Sequence, residues 1–331
     1  KAIAVKGNKG IGVKDMAAFL AAAAVSNKRI ADDDEAKGLT EDGTMSMMNV
    51  TNSYGSLPTR NNRELQFDGI DTVNLQAMKA PRKSDGKTNL KTNKACFACT
   101  IGCGRVAQMD PDHFSLSERK NFPTVSGGLE YESGYSLGPM VGVDDIEAAT
   151  YANYVCNEQG MDPISFGATL SAAMELFETG AITQKETGGI NLKFGSAEAL
   201  VKMVELTGRG EGFGEELGMG STRLCEKYGH PEFSMTVKGQ EFPGYDPRAM
   251  QGMGLAYATS NRGACHIRAR PFADDFQRVA TDGKAAIVKN TQDQVACIDS
   301  IGVCMFSFNS LKYENFAAML DASIPGGWTV E

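Results

Sequence analysis

Three cysteines stand in one tight run, Cys96-Phe97-Ala98-Cys99-Thr100-Ile101-Gly102-Cys103. Thiolates spaced C-x2-C-x3-C can converge on one compact metal centre, which obliges the segment to fold as a closed loop and leaves one tetrahedral corner to be filled from elsewhere. Far downstream, Asp299-Ser300-Ile301-Gly302-Val303-Cys304 is polar, bends at a glycine and ends in a further cysteine. Three local cysteines plus one distant cysteine are a frequent way to hold a 4Fe-4S centre, so the pattern points to electron transfer. Structural zinc is the competing reading. Zinc sites usually pair two C-x2-C knuckles, or a knuckle with histidines; here a lone triple has no histidine within nine residues. Spacing alone does not choose the fourth ligand, since Cys265 and Cys297 compete with Cys304.

The rest of the composition narrows the setting. A chain of 331 residues has room for about two domains. With 33 basic against 41 acidic residues and a net charge of −8, it has no general basic surface for nucleic acid or anionic lipid. No apolar run approaches the ~20 residues needed to span a bilayer. Eight cysteines are too sparse for a secreted disulfide scaffold, so a reducing cytoplasm is the simplest home. The chain starts at Lys1 in a strand-like Ala2-Ile3-Ala4-Val5 and stops at Glu331 after Pro325-Gly326-Gly327; it is expected to be a piece of a longer protein.

Along the chain, residues 15–25 read as a helix capped by Asp15. Residues 26–94 read as polar and irregular, and a loop-rich stretch extends from the cysteine run as far as Gly142. Helical patterns then recur over residues 146–160 behind Asp144/Asp145, 165–178, 196–206 and 221–227, each stopped by glycine. Strand-like residues 235–237 precede a glycine-rich region, 239–263. The expectation is a mainly α architecture with irregular loops that line a ligand.

Two segments share a pattern. Asn157-Glu158-Gln159-Gly160-Met161-Asp162 and the Asp299–Cys304 segment both read polar-x-x-Gly-apolar-Asp/Cys. Taken alone, the first is an ordinary helix C-terminus with a glycine stop. Aimed at a heterocycle, such loops would offer backbone and carboxylate acceptors to its N–H groups. Of the three histidines, His113, His230 and His266, only His266 stands out, and only by its surroundings.

The cysteine triple, the two glycine-centred segments, the run YDPRAMQGMGLAYATSNRGACHIRA (residues 245–269), NEQGMDPISFG (157–167) and Gly128-Leu129-Glu130-Tyr131-Glu132 together resemble the tungsten-containing aldehyde:ferredoxin oxidoreductase family, in its bacterial branch. The resemblance covers nearly the whole chain. It implies two largely helical domains, the second and third of that family, with only a remnant of its β-rich N-terminal domain: residues 1–9 as that remnant, 10–234 as domain 2 and 235–331 as part of domain 3. It implies a tungsten bis-molybdopterin (tungstopterin) cofactor beside a 4Fe-4S cluster ligated by Cys96, Cys99, Cys103 and Cys304. Asn157, Asp162 and Asp299, with Gly302 in the second motif, would serve the pterins. Asn157 and Met161 depart from the family's Asp-x-x-Gly-Leu-Asp, and an uncharged Asn gives a weaker contact than Asp.

The family's reaction is aldehyde plus water giving carboxylic acid, two electrons and protons. By the resemblance, His266 would donate to the carbonyl oxygen, and Glu130 would orient or deprotonate a water, with Glu132 the competing choice. Electrons would pass to ferredoxin or an iron–sulfur partner subunit, and an oligomer is expected. The alternatives are a related tungsten enzyme that reduces aromatic acyl-thioesters, and a non-catalytic iron–sulfur module.

Overall fold

The structure, a computed structural model, describes residues 4, 6–8, 10, 12–117, 125–277 and 279–330. The strand-like start at residues 2–5 lies largely outside the described residues.

The architecture is mainly α, as the sequence patterns predict. The first helix, α1 (Met16–Asp32), opens on the expected cap: Asp15 accepts a hydrogen bond from the Ala18 N–H at 2.9 Å. It runs beyond residue 25 because nothing in Ser26-Asn27-Lys28-Arg29 breaks a helix. Asp33 ends it and at once caps α2 (Asp34–Asp42) by accepting from the Ala36 N–H. The stretch from 26 to 94 is therefore far more ordered than its polarity suggests, with a further helix over Met47–Tyr54.

The cysteine run joins two strands. Strands β1 (Leu90–Lys94) and β2 (Gly104–Gln108) pair antiparallel, Lys94 opposite Gly104, so residues 95–103 form the tip of a hairpin. A third strand, β3 (Val125–Gly127), extends the sheet alongside β2. Helix α3 (Tyr131–Leu137) comes next, within what reads as loop.

Helices α4 (Ile146–Gln159), α5 (Pro163–Glu178) and α6 (Ala197–Arg209) build the main core. Asp145, Asp162 and Ser196 cap them, and Gly160 and Gly210, both left-handed, end the first and third. Their inward faces bury Leu170, Met174, Leu176, Leu200, Met203 and Val204 completely or nearly so, each contributing about 1.5–3 kcal/mol of apolar burial. The short hairpin at Thr236–Val237 and Gln240–Glu241 matches the strand-like reading.

Helix α7 (Gln251–Thr259) then leads into the 260–270 loop. Helix α8 (Lys284–Ile301) carries Asp299 in its last turn and was not legible as a helix. The final helix, α9 (Tyr313–Ser323), lies along α1: the Lys14 and Asp15 N–H groups donate to Ser323 and Ala322 carbonyls at 3.0 and 2.8 Å. A small second core joins Ile30, Ala36, Ile101, Leu311 and Phe316, so both ends of the described chain pack around the cysteine hairpin.

Candidate active site

The hairpin tip is tied down from α2. Asn93 Nδ2 donates to the Thr40 carbonyl at 2.7 Å, Arg105 Nη2 to that of Leu39 at 2.9 Å, and the Thr40 hydroxyl to that of Ile101. Within the tip the Cys99 N–H donates to the Cys96 carbonyl at 3.1 Å, and Ala98 and Gly102 adopt left-handed backbone. The tip turns Cys99 and Cys103 toward the small core, against which Ile301, Val303 and Phe306 also pack, while Cys96 is exposed.

Those last residues flank Cys304. Its charge and that of Cys99 act on Cys103, whose thiol is pushed up to about 11, first by burial and then by Glu130 and the two cysteines. The competing cysteines lie apart: Cys265 is buried beside His266, and Cys297 opens on a separate groove with Tyr313 and Trp328. Among the described residues, no three Cys, His, Asp or Glu side chains converge closely enough to hold a single metal ion. The donor set is soft and all thiol, which suits an iron–sulfur cluster or zinc.

The two glycine-centred segments have one backbone geometry. Gly160 (φ 68°, ψ 30°) and Gly302 (φ 73°, ψ 27°) end α4 and α8. In each, the next N–H closes a six-residue ring, Met161 to the Cys156 carbonyl at 2.8 Å and Val303 to that of Ile298 at 3.3 Å. Asn157 is exposed on the last turn of α4. Asp162 caps α5 by accepting from the Ile164 N–H at 3.0 Å, and lines a cavity of about 140 Å³ with Arg262, Cys265 and His266. Asp299 is ion-paired with Arg268. The two turns thus flank the 262–268 loop.

That loop presents His266. Gly263 is required there: its φ is 116°, and a Cβ would stand 2.2 Å from the Val237 carbonyl oxygen. Lys238 Nζ holds the loop's start by donating to the Ser260 carbonyl at 2.7 Å. His266 lines a cavity of about 650 Å³ together with Cys103, Glu130, Glu132, Tyr245 and Arg270. The other histidines are engaged elsewhere, His113 with Ser115 and Asp145, His230 with exposed Glu232.

The two carboxyls differ. Glu130 precedes α3, accepts from the Thr44 hydroxyl at 2.6 Å and takes part in a capping arrangement with Ser133. Glu132 accepts from the Gly244 N–H at 2.9 Å through one oxygen, while the other has no hydrogen-bond partner and faces His266 Nε2 at 3.6 Å. That separation is longer than a hydrogen bond. Burial, which the Gly244 bond only partly offsets, pushes Glu132 up to about 8; burial, aided by Arg262 and Arg270, pushes His266 down to about 4. At neutral pH the pair is a protonated carboxyl facing a neutral imidazole.

The chain's family follows from its likeness to known proteins. The profile described as aldehyde ferredoxin oxidoreductase, domains 2 and 3, matches residues 21–331. The chain belongs to the aldehyde ferredoxin oxidoreductase family. A tungsten-containing aldehyde ferredoxin oxidoreductase of Pyrococcus furiosus is 37% identical over 344 residues, covering 100% of this chain and 53% of the relative. Its namesake from Thermococcus kodakarensis is 37% identical over 341 residues, at 99% and 53% coverage. A protein named aliphatic sulfonate oxidoreductase, WOR-like subunit, of P. furiosus is 26% identical over 227 residues, at 66% and 34% coverage. The chain therefore spans about half the length of the curated oxidoreductases it matches. Among solved structures, the active-site complex BamBC of benzoyl coenzyme A reductase superposes with a TM-score of 0.67 at 13% identity, covering 96% of this chain and 55% of that one, and shows the shared fold. No described helix is long and apolar enough to cross a membrane.

Sequence reasoning missed Arg270 and Tyr245 as cavity walls and Arg268 as the partner of Asp299. All three lie within or beside the 245–269 run, where the density of glycine and polar residues was the only available signal.

Proposed function

We propose that this chain forms the helical part of an enzyme that oxidises aldehydes reversibly to carboxylic acids, passing electrons through a 4Fe-4S cluster to ferredoxin or an iron–sulfur partner subunit. The observation that carries the proposal is a shared cavity: Glu132 and His266 face each other in a space that Cys103 also lines. Chemistry and electron exit would then share one wall.

The residues fit the two groups that the family implies. Cys96, Cys99, Cys103 and Cys304 would hold the cluster, the last because Cys304 acts on Cys103 while Cys265 and Cys297 lie elsewhere. Asp162 and Asp299, flanking the His266 loop, would accept from the pterins, with Asn157 and Gly302 completing the turns. The orphan oxygen of Glu132 marks the side where a reacting group is accommodated. The bound tungstopterin would supply the two-electron acceptor.

Glu132, rather than Glu130, takes the role of base. A carboxylate with a pKa of about 8 is a stronger base than an ordinary one, and Glu130 is already engaged by Thr44 and the start of α3. In its ionised form, which grows as pH rises toward 8, Glu132 would take a proton from water. His266, neutral and held beside it, would donate an N–H to the substrate's carbonyl oxygen as negative charge develops there. The 37% identity to aldehyde oxidoreductases favours this reading over aromatic thioester reduction, which the benzoyl coenzyme A reductase neighbour parallels in fold alone.

Elemental analysis of the anaerobically purified holoenzyme tests the cofactor pair. Tungsten together with ~4 iron per chain is expected. Zinc without iron or tungsten would overturn the redox reading. A substrate screen then separates aldehydes from acyl-thioesters.

A further inference from the structure

We propose that Arg270 is the positive countercharge of the iron–sulfur cluster, holding the cluster's reduction potential up from the cavity side. The inference rests on the cluster reading above and goes beyond it by assigning a residue that tunes, rather than ligates. Arg270 Nη1 donates to Asn309 Oδ1 at 2.9 Å and reaches the Met305 carbonyl at 3.5 Å, so the guanidinium is anchored to the turn that begins at Cys304. Its centre stands 5.8 Å from the Phe306 ring and 6.0 Å from that of Phe272. The same cavity is lined by Arg270, Cys103, Glu132 and His266. The side chain therefore shares one cavity with a proposed cluster ligand and with the proposed acid–base pair.

Arg268 pairs with Asp299 and Arg248 with Asp246, but among the described residues no carboxylate pairs with Arg270. A guanidinium carries five N–H donors and stays protonated, and most of those on Arg270 are unspent. A half-buried cation without an anion is costly. Glu35 and Cys304 act on it through space without bonding to it, and Cys304 would belong to the anionic cluster. A reduced cluster carries one more negative charge than an oxidised one, so a fixed cation beside it favours the reduced form. Hydrogen bonds to cluster sulfurs act in the same direction.

The test is a redox titration of the anaerobically purified holoenzyme, tracking the electron paramagnetic resonance signal of the reduced cluster. Arg270→Gln should shift the midpoint to lower potential with ~4 iron retained, and Arg270→Lys should restore most of the shift. Glu35→Gln, which removes a negative charge from the same cavity, should shift it slightly upward; this variant keeps the proposal falsifiable if Arg270→Gln does not fold. An unchanged midpoint in Arg270→Gln, or in Glu35→Gln where only that variant folds, overturns the proposal while leaving the cluster intact. A wild-type holoenzyme with no such signal overturns the cluster reading, and the countercharge with it.

Discussion

The turns at Gly160 and Gly302 share a backbone geometry and differ in the residue two places beyond the glycine. After Gly160 the chain places Asp162, which caps α5 through Ile164 and looks into the small cavity beside His266. After Gly302 it places Cys304, whose carbonyl accepts from the Ser307 hydroxyl at 2.7 Å and whose thiol acts on Cys103. One helix-ending device thus delivers a carboxylate on one side of the 262–268 loop and a thiol on the other. The difference teaches that the glycine fixes where the chain goes, while the later residue fixes what chemistry arrives there.

The sharpest way to break that comparison is to exchange the chemistry and leave the geometry. Cys304→Ser should cost the cluster, seen as loss of most bound iron, whereas Asp162→Asn should leave iron unchanged and lower tungsten retention. Equal iron in the two variants would show that Cys304 is not the fourth ligand. Next in size is the pair in the cavity. His266→Ala should lower turnover by about 10²-fold or more with both metals retained, and Glu132→Gln should do the same. Glu130→Gln should act mainly on stability, by loosening the bond to Thr44. Near-normal turnover in His266→Ala would remove its role as donor.

The pH dependence comes from the same pair. Glu132 titrates near 8 in the folded protein against an ordinary 4.5, so between those values the folded state holds a proton that the unfolded state releases. Its contribution to stability is full below about 4.5 and is lost as pH rises through 8. Glu132→Gln should remove that decline. In turnover the sign reverses, because the base form grows with pH: the rate should climb toward pH 8 in the wild type, and this limb should be absent in Glu132→Gln. A pH profile shared by both proteins would assign the base elsewhere.

How much of this was legible in the sequence depends on which force decides each element. The helices over residues 146–159 and 221–227 were readable because caps, apolar spacing and glycine stops agree locally. The hairpin that carries Cys96, Cys99 and Cys103 was not, since β1 is a Leu-Lys-Thr-Asn-Lys exposed beyond Leu90, whose pairing is decided by β2 and by side chains reaching across from Asn93 and Arg105. Helix α8 was hidden for a related reason: its Lys-Asn-Thr-Gln-Asp-Gln run gives a weak stripe, and only Val288, Val295 and Ile298 reach the interior with Lys284. Among the proposed site residues, types with distinctive chemistry (Cys96, His266, Asp162) stand out in the sequence. The choice of Glu132 over Glu130 needed the Thr44 contact and the orphan oxygen, both of which arise from tertiary packing.

The smallest effect sharpens the comparison most directly. Neither Gly160 nor Gly302 has any atom within 4 Å of where a Cβ would stand, so alanine at either meets no clash and is penalised only by the left-handed backbone. That penalty is about 1 kcal/mol for an L-residue, or about 2 °C in the unfolding midpoint for a chain of this size. Gly160→Ala and Gly302→Ala should therefore destabilise the protein equally when the metal-free forms are compared by thermal unfolding. Adding the metals should separate them, because binding to the folded state adds its own stabilisation and only the second turn ends in a proposed cluster ligand: Gly302→Ala should recover less of its midpoint on reconstitution than Gly160→Ala. If the two variants remained equal with iron bound, the turn geometry at Gly302 would have no bearing on how Cys304 meets the cluster, and the two helix ends would differ in sequence alone.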